Sequence, residues 1–205
     1  SDVYKRQLQG DVGSGKTIVA FLTLISTVEA GFQGAFMAPT EILARQHFEF
    51  LKPIASEIGI SVDIITGKDT KSQRALILKK LETGATNLLI GTHALFQNEV
   101  KFKNLGYAVI DEQHKFGVNQ RLALGEKGAG TNILIMTATP IPRTLTMIGY
   151  GDLDISYLTS KLPGRIPIKT KAISSERIGE VIEGISRAIK KGARAYWICP
   201  LIEDN

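Results

Sequence analysis

The stretch Gly10-Asp11-Val12-Gly13-Ser14-Gly15-Lys16-Thr17 decides the fold expected of this chain, because it fits the phosphate-binding pattern G-x-x-x-x-G-K-[ST] at every specified position. The glycines of such a loop let backbone N–H groups turn inward onto a phosphate, and the lysine reaches the outer phosphate oxygens. The final threonine hydroxyl can ligate Mg²⁺. We therefore predict a nucleotide site formed by Gly10, Gly13, Ser14, Gly15, Lys16 and Thr17.

Downstream of the loop, apolar and amphipathic segments alternate as strands and helices do around a parallel sheet. Short apolar runs predict strands at 35–38, 62–65, 87–90, 106–110 and 133–136. Helices are predicted over 18–25, over 40–59 with a kink or break at Pro53, and over 71–81 with Gly84 as the stop signal. This order predicts an α/β fold, a mostly parallel sheet with helices on both faces.

The residues before the loop fit this pattern poorly. A phosphate-binding loop follows a buried strand, yet Tyr4-Lys5-Arg6-Gln7 is polar and only Leu8 is apolar. A strand is therefore not predicted here, and we interpret residues 1–7 as a truncation or junction.

An acidic pair, Asp111 and Glu112, follows the strand predicted at 106–110. In P-loop enzymes one carboxylate at this place holds Mg²⁺ and a neighbouring residue orients the attacking water. Because the loop is also present, we predict that Asp111 and Thr17 ligate Mg²⁺. We predict Lys16, Asp111 and Glu112 as the catalytic residues. Taken without the loop, the same pair would favour an exposed turn.

Three other predicted strands end close to a hydroxyl or a glycine, at Thr40, Gly67 and Thr92. Hydroxyls and free N–H groups at helix starts bind phosphates without reading bases, so a row of them could follow a nucleic-acid backbone. The competing interpretation makes each threonine a helix N-cap with a structural role only. The same structural interpretation, in which a threonine only begins a helix, applies to the stretch Thr137-Ala138-Thr139-Pro140.

Composition limits the other possibilities. The chain has 205 residues and a net charge of +5, and no apolar run approaches the roughly 20 residues of a membrane span. We expect no secretory leader, because the first residues do not have the charged and then apolar pattern of one. The single cysteine, Cys199, lies in an apolar stretch with Trp197 that suggests core positions. We expect a soluble, cytoplasmic protein.

The basic excess lies near the C-terminal end, where nine of the 25 basic residues but only three of the 20 acidic ones fall between Lys161 and Arg194. A solvated helix face and a nucleic-acid-facing surface both explain it. Residues 151–167 have the composition of a hinge. Beyond it we predict a strand at 168–173, a helix at 176–191 and a strand at 195–199, so the domains predicted are 1–160 and, as the start of a second, 161–205.

The motif order is specific. GDVGSGKT, APTEILARQH, TG, GTHAL, DEQHKFGVNQR and TATPIPRT together resemble the first motor domain of superfamily-two helicases, which has a RecA-like P-loop fold. Beyond the generic ATPase motifs, the chain is similar to the RecG family of branch-migration DNA helicases at FGV and QR after DEQH, at GDLD over 151–154 and at YWICPLIE over 196–203.

This resemblance implies ATP and Mg²⁺ as cofactors and branched duplex DNA, such as stalled forks and Holliday junctions, as the partner in repair and recombination. The resemblance implies that the residues acting on ATP and Mg²⁺ are Lys16, Thr17, Asp111 and Glu112. It implies that hydrolysis is coupled to movement by His114, Thr137 and Thr139. The residues that it places along DNA are Thr40, Gly67 and Thr92. Lys115 stands where the family usually has Arg, which keeps the charge but loses the bidentate fork.

The resemblance also implies a longer protein, with an N-terminal wedge domain and a second motor domain whose arginines face the γ-phosphate. These 205 residues alone are therefore expected to hydrolyse ATP poorly. Two other functions stay open: a transcription-repair coupling translocase, which is similar in the DEQH region, and a nucleotide-dependent binding module without turnover. Glu112 argues against the second, since a pure switch needs no residue to orient water.

Overall fold

The computed structural model describes residues 4–111, 130–139, 153–159 and 168–199. Two of the predicted site residues, Glu112 and His114, lie outside this part. By its internal contacts the chain divides into two compact units, Ser1–Pro163 and Gly164–Asn205. The assignment of the domains to a first motor domain and the start of a second stays a prediction.

The first unit is built on a seven-stranded sheet in which every neighbouring pair is parallel. Its order across the sheet is β3-β4-β2-β5-β6-β1-β7. This topology confirms the predicted α/β fold. In chain order the strands are β1 (Lys5–Gly10), β2 (Gln33–Met37), β3 (Val62–Ile65), β4 (Leu88–Gly91), β5 (Leu105–Asp111), β6 (Asn132–Thr137) and β7 (Asp154–Leu158).

Three helices of this unit fall close to their predicted positions: α1 (Lys16–Glu29), α2 (Glu41–Glu57) and α3 (Lys71–Thr83). Local caps explain where α3 begins and ends, because Thr70 and Gln73 form a capping box and Gly84 follows in a left-handed conformation. Of the kink or break predicted at Pro53, the break is wrong, since α2 runs through the proline, and the kink stays a prediction. Leu51 and Ala55 on either side of the proline are fully buried, and their packing holds the helix together there.

The core lies on both faces of the central strands. Every residue of β2 and β4 is buried, as continuous apolar runs in a two-sided parallel sheet require. On one face Phe36 and Val109 pack with α1 and α2, and on the other Ala35 and Ile110 pack with Leu81 of α3. Met37 and Met136 are fully buried. Their predicted core positions are confirmed.

The strand at β1 was not predicted. Lys5–Gly10 pairs with β6 on one side and β7 on the other, over five residues in each case. Two partners satisfy the backbone N–H and C=O groups along both edges whatever the side chains are, so pairing outweighs the polar composition. One consequence is that the side chain of Gln7 is fully buried.

The hinge predicted over 151–167 is wrong for Asp154–Leu158, which forms β7 at the edge of the sheet. Its sequence, DISYL, gives only a weak strand pattern, since Leu158 packs against the core whereas Tyr157 is 61% exposed. The signal was short, and it was obscured by the Gly, Asp and Pro residues around it.

In the second unit a short 3-10 helix at Ser175–Arg177 leads into α4 (Ile178–Lys190), and the predicted helix is confirmed. The strands predicted at 168–173 and 195–199 are wrong, because a strand needs a neighbour and none of the described residues pairs with either segment. Cys199 is exposed and Trp197 is 53% exposed, so the expected core positions of both are also wrong. Among the described helices, none has the length and apolar character to cross a bilayer.

Candidate functional site

The loop between β1 and α1 has the backbone conformation that its glycines allow. Gly15 caps α1 with φ at 94°, a left-handed value that side chains with a β-carbon rarely adopt. A β-carbon at Gly10 would lie 2.5 Å from Oγ of Ser14 and 3.0 Å from Cβ of Leu158. The chain therefore turns tightly from the strand into the helix, which puts the N-terminus of α1, the end of a helix that suits an anion, at the loop.

Two polar side chains complete the loop. Nζ of Lys16 donates hydrogen bonds to the carbonyl oxygens of Gly10 at 2.7 Å and Asp11 at 3.0 Å, so its ammonium group lies against the loop backbone. Oγ of Ser14 is buried and has no hydrogen-bond partner among the described residues. A buried hydroxyl without a partner is costly, and a phosphate oxygen would satisfy it. These features fit the phosphates of a nucleotide.

Asp111, the last residue of β5, lies at the same edge of the sheet. Strand β6 runs between β5 and β1, and its Met136 is in register with Asp111 on one side and Leu8 on the other. Two strand spacings put the backbones of Asp111 and Leu8 about 10 Å apart. The carboxyl edge of the sheet therefore brings the loop and this carboxylate, whose side chain is 12% exposed, into one region.

Thr137 ends β6, between the strands that carry the loop and Asp111. Its side chain is buried, and Oγ1 accepts a hydrogen bond from the N–H of Thr139 at 3.2 Å. The two hydroxyl oxygens are also 3.2 Å apart. The structure thus joins two of the three residues predicted to couple hydrolysis to movement. The third, His114, lies outside the described residues.

Thr40, Gly67 and Thr92 follow β2, β3 and β4, which are neighbours in the sheet. Oγ1 of Thr40 accepts from the N–H of Leu43 at 3.3 Å, so Thr40 is the N-cap of α2. Thr92 is 8% exposed and precedes a 3-10 helix at His93–Phe96 without a side-chain cap. Gly67 is exposed, with open space where a side chain would stand. The three residues form a row along this half of the edge.

Sequence reasoning missed Arg74, a residue of α3 whose side chain makes hydrogen bonds next to this row. Its Nη1 donates to the carbonyl oxygen of Thr66 at 3.4 Å and its Nε to Oε1 of Glu99 at 2.5 Å, and Nη2 donates to Oε1 of Gln97. The guanidinium thereby joins the segment after β3 to the segment after β4. Nothing in the local pattern around Arg74 signals these long-range contacts.

His47 was missed as well. It lies on α2, and its Nε2 is 3.1 Å from Oδ2 of Asp111. The ring packs on Phe36 of β2, with centroids 4.6 Å apart. His47 belongs to the APTEILARQH motif, but a lone histidine on a helix carries no signal of its partner. The contact joins the half of the edge with the threonine row to the half with the loop.

The family model for DEAD/DEAH box helicases matches residues 2–148. The chain belongs to this helicase family. It is 50% identical over 200 residues to the ATP-dependent DNA helicase RecG of Staphylococcus epidermidis, and 50% identical over 202 residues to that of Aquifex aeolicus. Each alignment covers 98% of this chain, but only 29% and 26% of those helicases. The chain therefore spans less than a third of the length of these relatives.

Solved helicase structures agree with the fold. The structure of RecG bound to a three-way DNA junction matches with a TM-score of 0.82 and 42% identity, over 98% of this chain and 27% of that one. The second domain of the DEAD-box helicase Mss116p, bound to an RNA duplex, matches with a TM-score of 0.62 at 12% identity and shows the fold alone. The predicted RecA-like fold and the resemblance to RecG helicases are confirmed.

Proposed function

We propose that this chain is the ATP-binding motor domain, with the start of the second motor domain, of a DNA helicase that translocates along duplex DNA and acts on branched DNA in repair and recombination. One observation carries the proposal. A single edge of the sheet brings together a phosphate-binding loop, the carboxylate of Asp111 and a row of hydroxyl and glycine positions. The names of the similar proteins, and the three-way junction bound by one of them, support branched DNA as the substrate.

In this proposal the loop residues hold the phosphates of ATP. Lys16 neutralises charge on the outer phosphate oxygens, and the hydroxyl of Ser14 donates a hydrogen bond to a phosphate oxygen. Thr17 and Asp111 hold Mg²⁺, which when bound supplies further neutralisation of phosphate charge. Glu112 orients the attacking water. His114, Thr137 and Thr139 transmit the state of the nucleotide to the rest of the motor.

DNA is held through its backbone. Thr40, Gly67 and Thr92 offer hydroxyl and N–H groups that suit phosphate oxygens and carry no base preference. Binding is therefore expected to be independent of sequence and steeply dependent on salt. A DNA-acting role also supports the cytoplasmic location that we propose.

Hydrolysis by these 205 residues alone is expected to be slow. The resemblance to helicases implies that arginines of the second motor domain face the γ-phosphate. In related P-loop enzymes such an arginine increases the turnover rate by a factor of roughly 10³ to 10⁵. Binding of ATP needs only the loop and Mg²⁺, whereas fast turnover also needs the positive charge of the arginines of the second motor domain.

The proposal is tested by measuring binding and turnover on the same preparation. We expect calorimetry to detect ADP and ATP binding that Mg²⁺ strengthens, with slow turnover that forked DNA does not stimulate. Fluorescence anisotropy with forked and linear duplexes of equal length, each in two unrelated sequences, should show salt-dependent affinity that ignores sequence. A folded chain without nucleotide affinity, or with clear preference for one base sequence, would contradict the proposal. Strong DNA-stimulated turnover would contradict the need for a second motor domain.

A further inference from the structure

His47 is held in one orientation by two contacts from different strands. Its ring packs on Phe36, a fully buried residue of β2, and its Nε2 lies 3.1 Å from Oδ2 of Asp111 at the end of β5. The side chains of His47 and Asp111 are 14% and 12% exposed. A carboxylate can only accept a hydrogen bond, so Nε2 carries the proton and donates it.

The bond is suited to fixing one oxygen of Asp111. Packing against Phe36 holds the imidazole, and the imidazole in turn fixes the rotation of the carboxylate about its side-chain bonds. Partners outside the immediate ligand set typically change metal affinity 10- to 100-fold when they are removed, because they orient the ligand. A loosely held aspartate would need to be ordered each time the metal binds.

We propose that His47 is a positioning residue of the magnesium site: it donates to Oδ2 of Asp111 and so orients the carboxylate that would hold the metal. This rests on the proposed function, in which Asp111 is the ligand. Because His47 lies on α2 and not on β5, β6 or β1, its contact also connects the metal site to the helix that begins after Thr40. Thr40 is seven residues upstream, about 10 Å along the helix axis.

Four variants of residues 1–205 separate a positioning role from a structural one. His47→Leu removes the donor and keeps a side chain of similar bulk. His47→Gln extends an amide N–H to the position of Nε2, whereas His47→Asn places it near Nδ1, too short to reach Asp111. Glu49→Ala changes an exposed residue two positions along the same helix and serves as the matched control. Thermal unfolding checks that each variant folds.

The measurement is ADP affinity as a function of Mg²⁺ concentration, with a parallel titration in EDTA. We expect His47→Leu and His47→Asn to raise the Mg²⁺ concentration at half-effect about tenfold. His47→Gln should stay within about threefold of the wild type, and Glu49→Ala should match it. ADP affinity in EDTA should be the same in all of them. If His47→Leu does not fold, the pair His47→Asn and His47→Gln gives the same comparison between two polar side chains.

Two results would overturn the proposal. One is a folded His47→Asn variant with the Mg²⁺ requirement of the wild type. The other is an equal loss of ADP affinity with Mg²⁺ and in EDTA, which would make the contact structural only. Failure of the proposed function is visible separately, because it appears in the wild type as ADP binding that is absent or indifferent to Mg²⁺.

Discussion

The two halves of the sheet edge hold their candidate site residues in different ways. In the half formed by β5, β6 and β1, the groups proposed to bind nucleotide include a cation, a buried hydroxyl without a partner among the described residues and a buried carboxylate. In the half formed by β3, β4 and β2, the groups proposed to bind DNA include a threonine that already caps α2 and a glycine in open space.

This difference indicates how each half will respond to mutation. A residue whose contacts stay within its own site, such as Lys16 against the loop backbone, should lose function when it is replaced and change stability little. A residue that both caps a helix and contacts a ligand changes both quantities together, and only a substitution that keeps one role can separate them.

The largest effect is expected in the nucleotide half, from Lys16→Ala. Without its ammonium group the loop keeps its backbone N–H groups but loses the side-chain charge proposed to neutralise the phosphates. We expect ATP affinity to fall by about 100-fold or more, ~2.7 kcal/mol, by isothermal titration calorimetry. The control is Lys79→Ala, which removes the same charge from an exposed position on α3. Unchanged ATP affinity in a folded Lys16→Ala variant would remove this lysine from the site.

A gain in stability is expected next, from Gln7→Leu in β1. Gln7 is fully buried, and neither Nε2 nor Oε1 has a hydrogen-bond partner among the described residues. Replacing an unpaired buried amide by an apolar side chain of similar size should raise the free energy of unfolding by about 1–3 kcal/mol. Urea denaturation measures it, with Gln9→Leu at a half-buried position of the same strand as the control. Loss of stability in Gln7→Leu would show that the amide has partners.

The same strand shows why sequence reasoning reached only part of the fold. The central strands carry their burial in their own side chains, as in Tyr107-Ala108-Val109-Ile110, and these were predicted. Strand β1 is polar, and its place in the sheet comes from pairing with β6 and β7, which local periodicity cannot report. The reverse holds at 195–199, where an apolar run finds no partner in the described part and stays out of any sheet.

Within the candidate site the limit is similar. The loop and Asp111 were predicted because each carries its chemistry in a fixed local pattern. His47 and Arg74 were missed, since their importance depends on partners 64 and 25 residues away, Asp111 and Glu99. A single sequence gives no measure of such distances, and only the sheet order brings the partners together.

In the DNA half the effects are smaller, and Thr40 separates the two interpretations of the threonine row. Thr40→Ala should lower the free energy of unfolding by ~1 kcal/mol because α2 loses its cap. Thr40→Asp keeps a capping oxygen but brings a negative charge to the proposed phosphate position, so stability should stay within about 0.5 kcal/mol of the wild type. DNA affinity at low salt should fall at least severalfold. If Thr40→Asp binds DNA as the wild type does, the hydroxyl is only a cap.

The smallest effect is expected from Glu41→Gln, one residue further along α2. Glu41 is paired with Arg45, four residues on, at 3.0 Å, and with Lys68, beside Gly67, at 3.6 Å. Arg45 and Lys68 have side chains that are 47% and 80% exposed, so losing both contacts should cost no more than ~0.5–1 kcal/mol of stability.

The same substitution releases two cations from their carboxylate at the proposed DNA edge. If Arg45 and Lys68 lie near phosphates, Glu41→Gln should tighten DNA binding about two- to threefold at low salt, and the slope of log affinity against log salt should steepen by up to about one. Glu57→Gln, which neutralises an exposed carboxylate at the other end of α2, is the matched control and should change neither quantity. Equal DNA affinity and equal salt slopes in the two variants would place the phosphates away from this cluster, and the threonine row would then have to bind DNA without these side-chain cations.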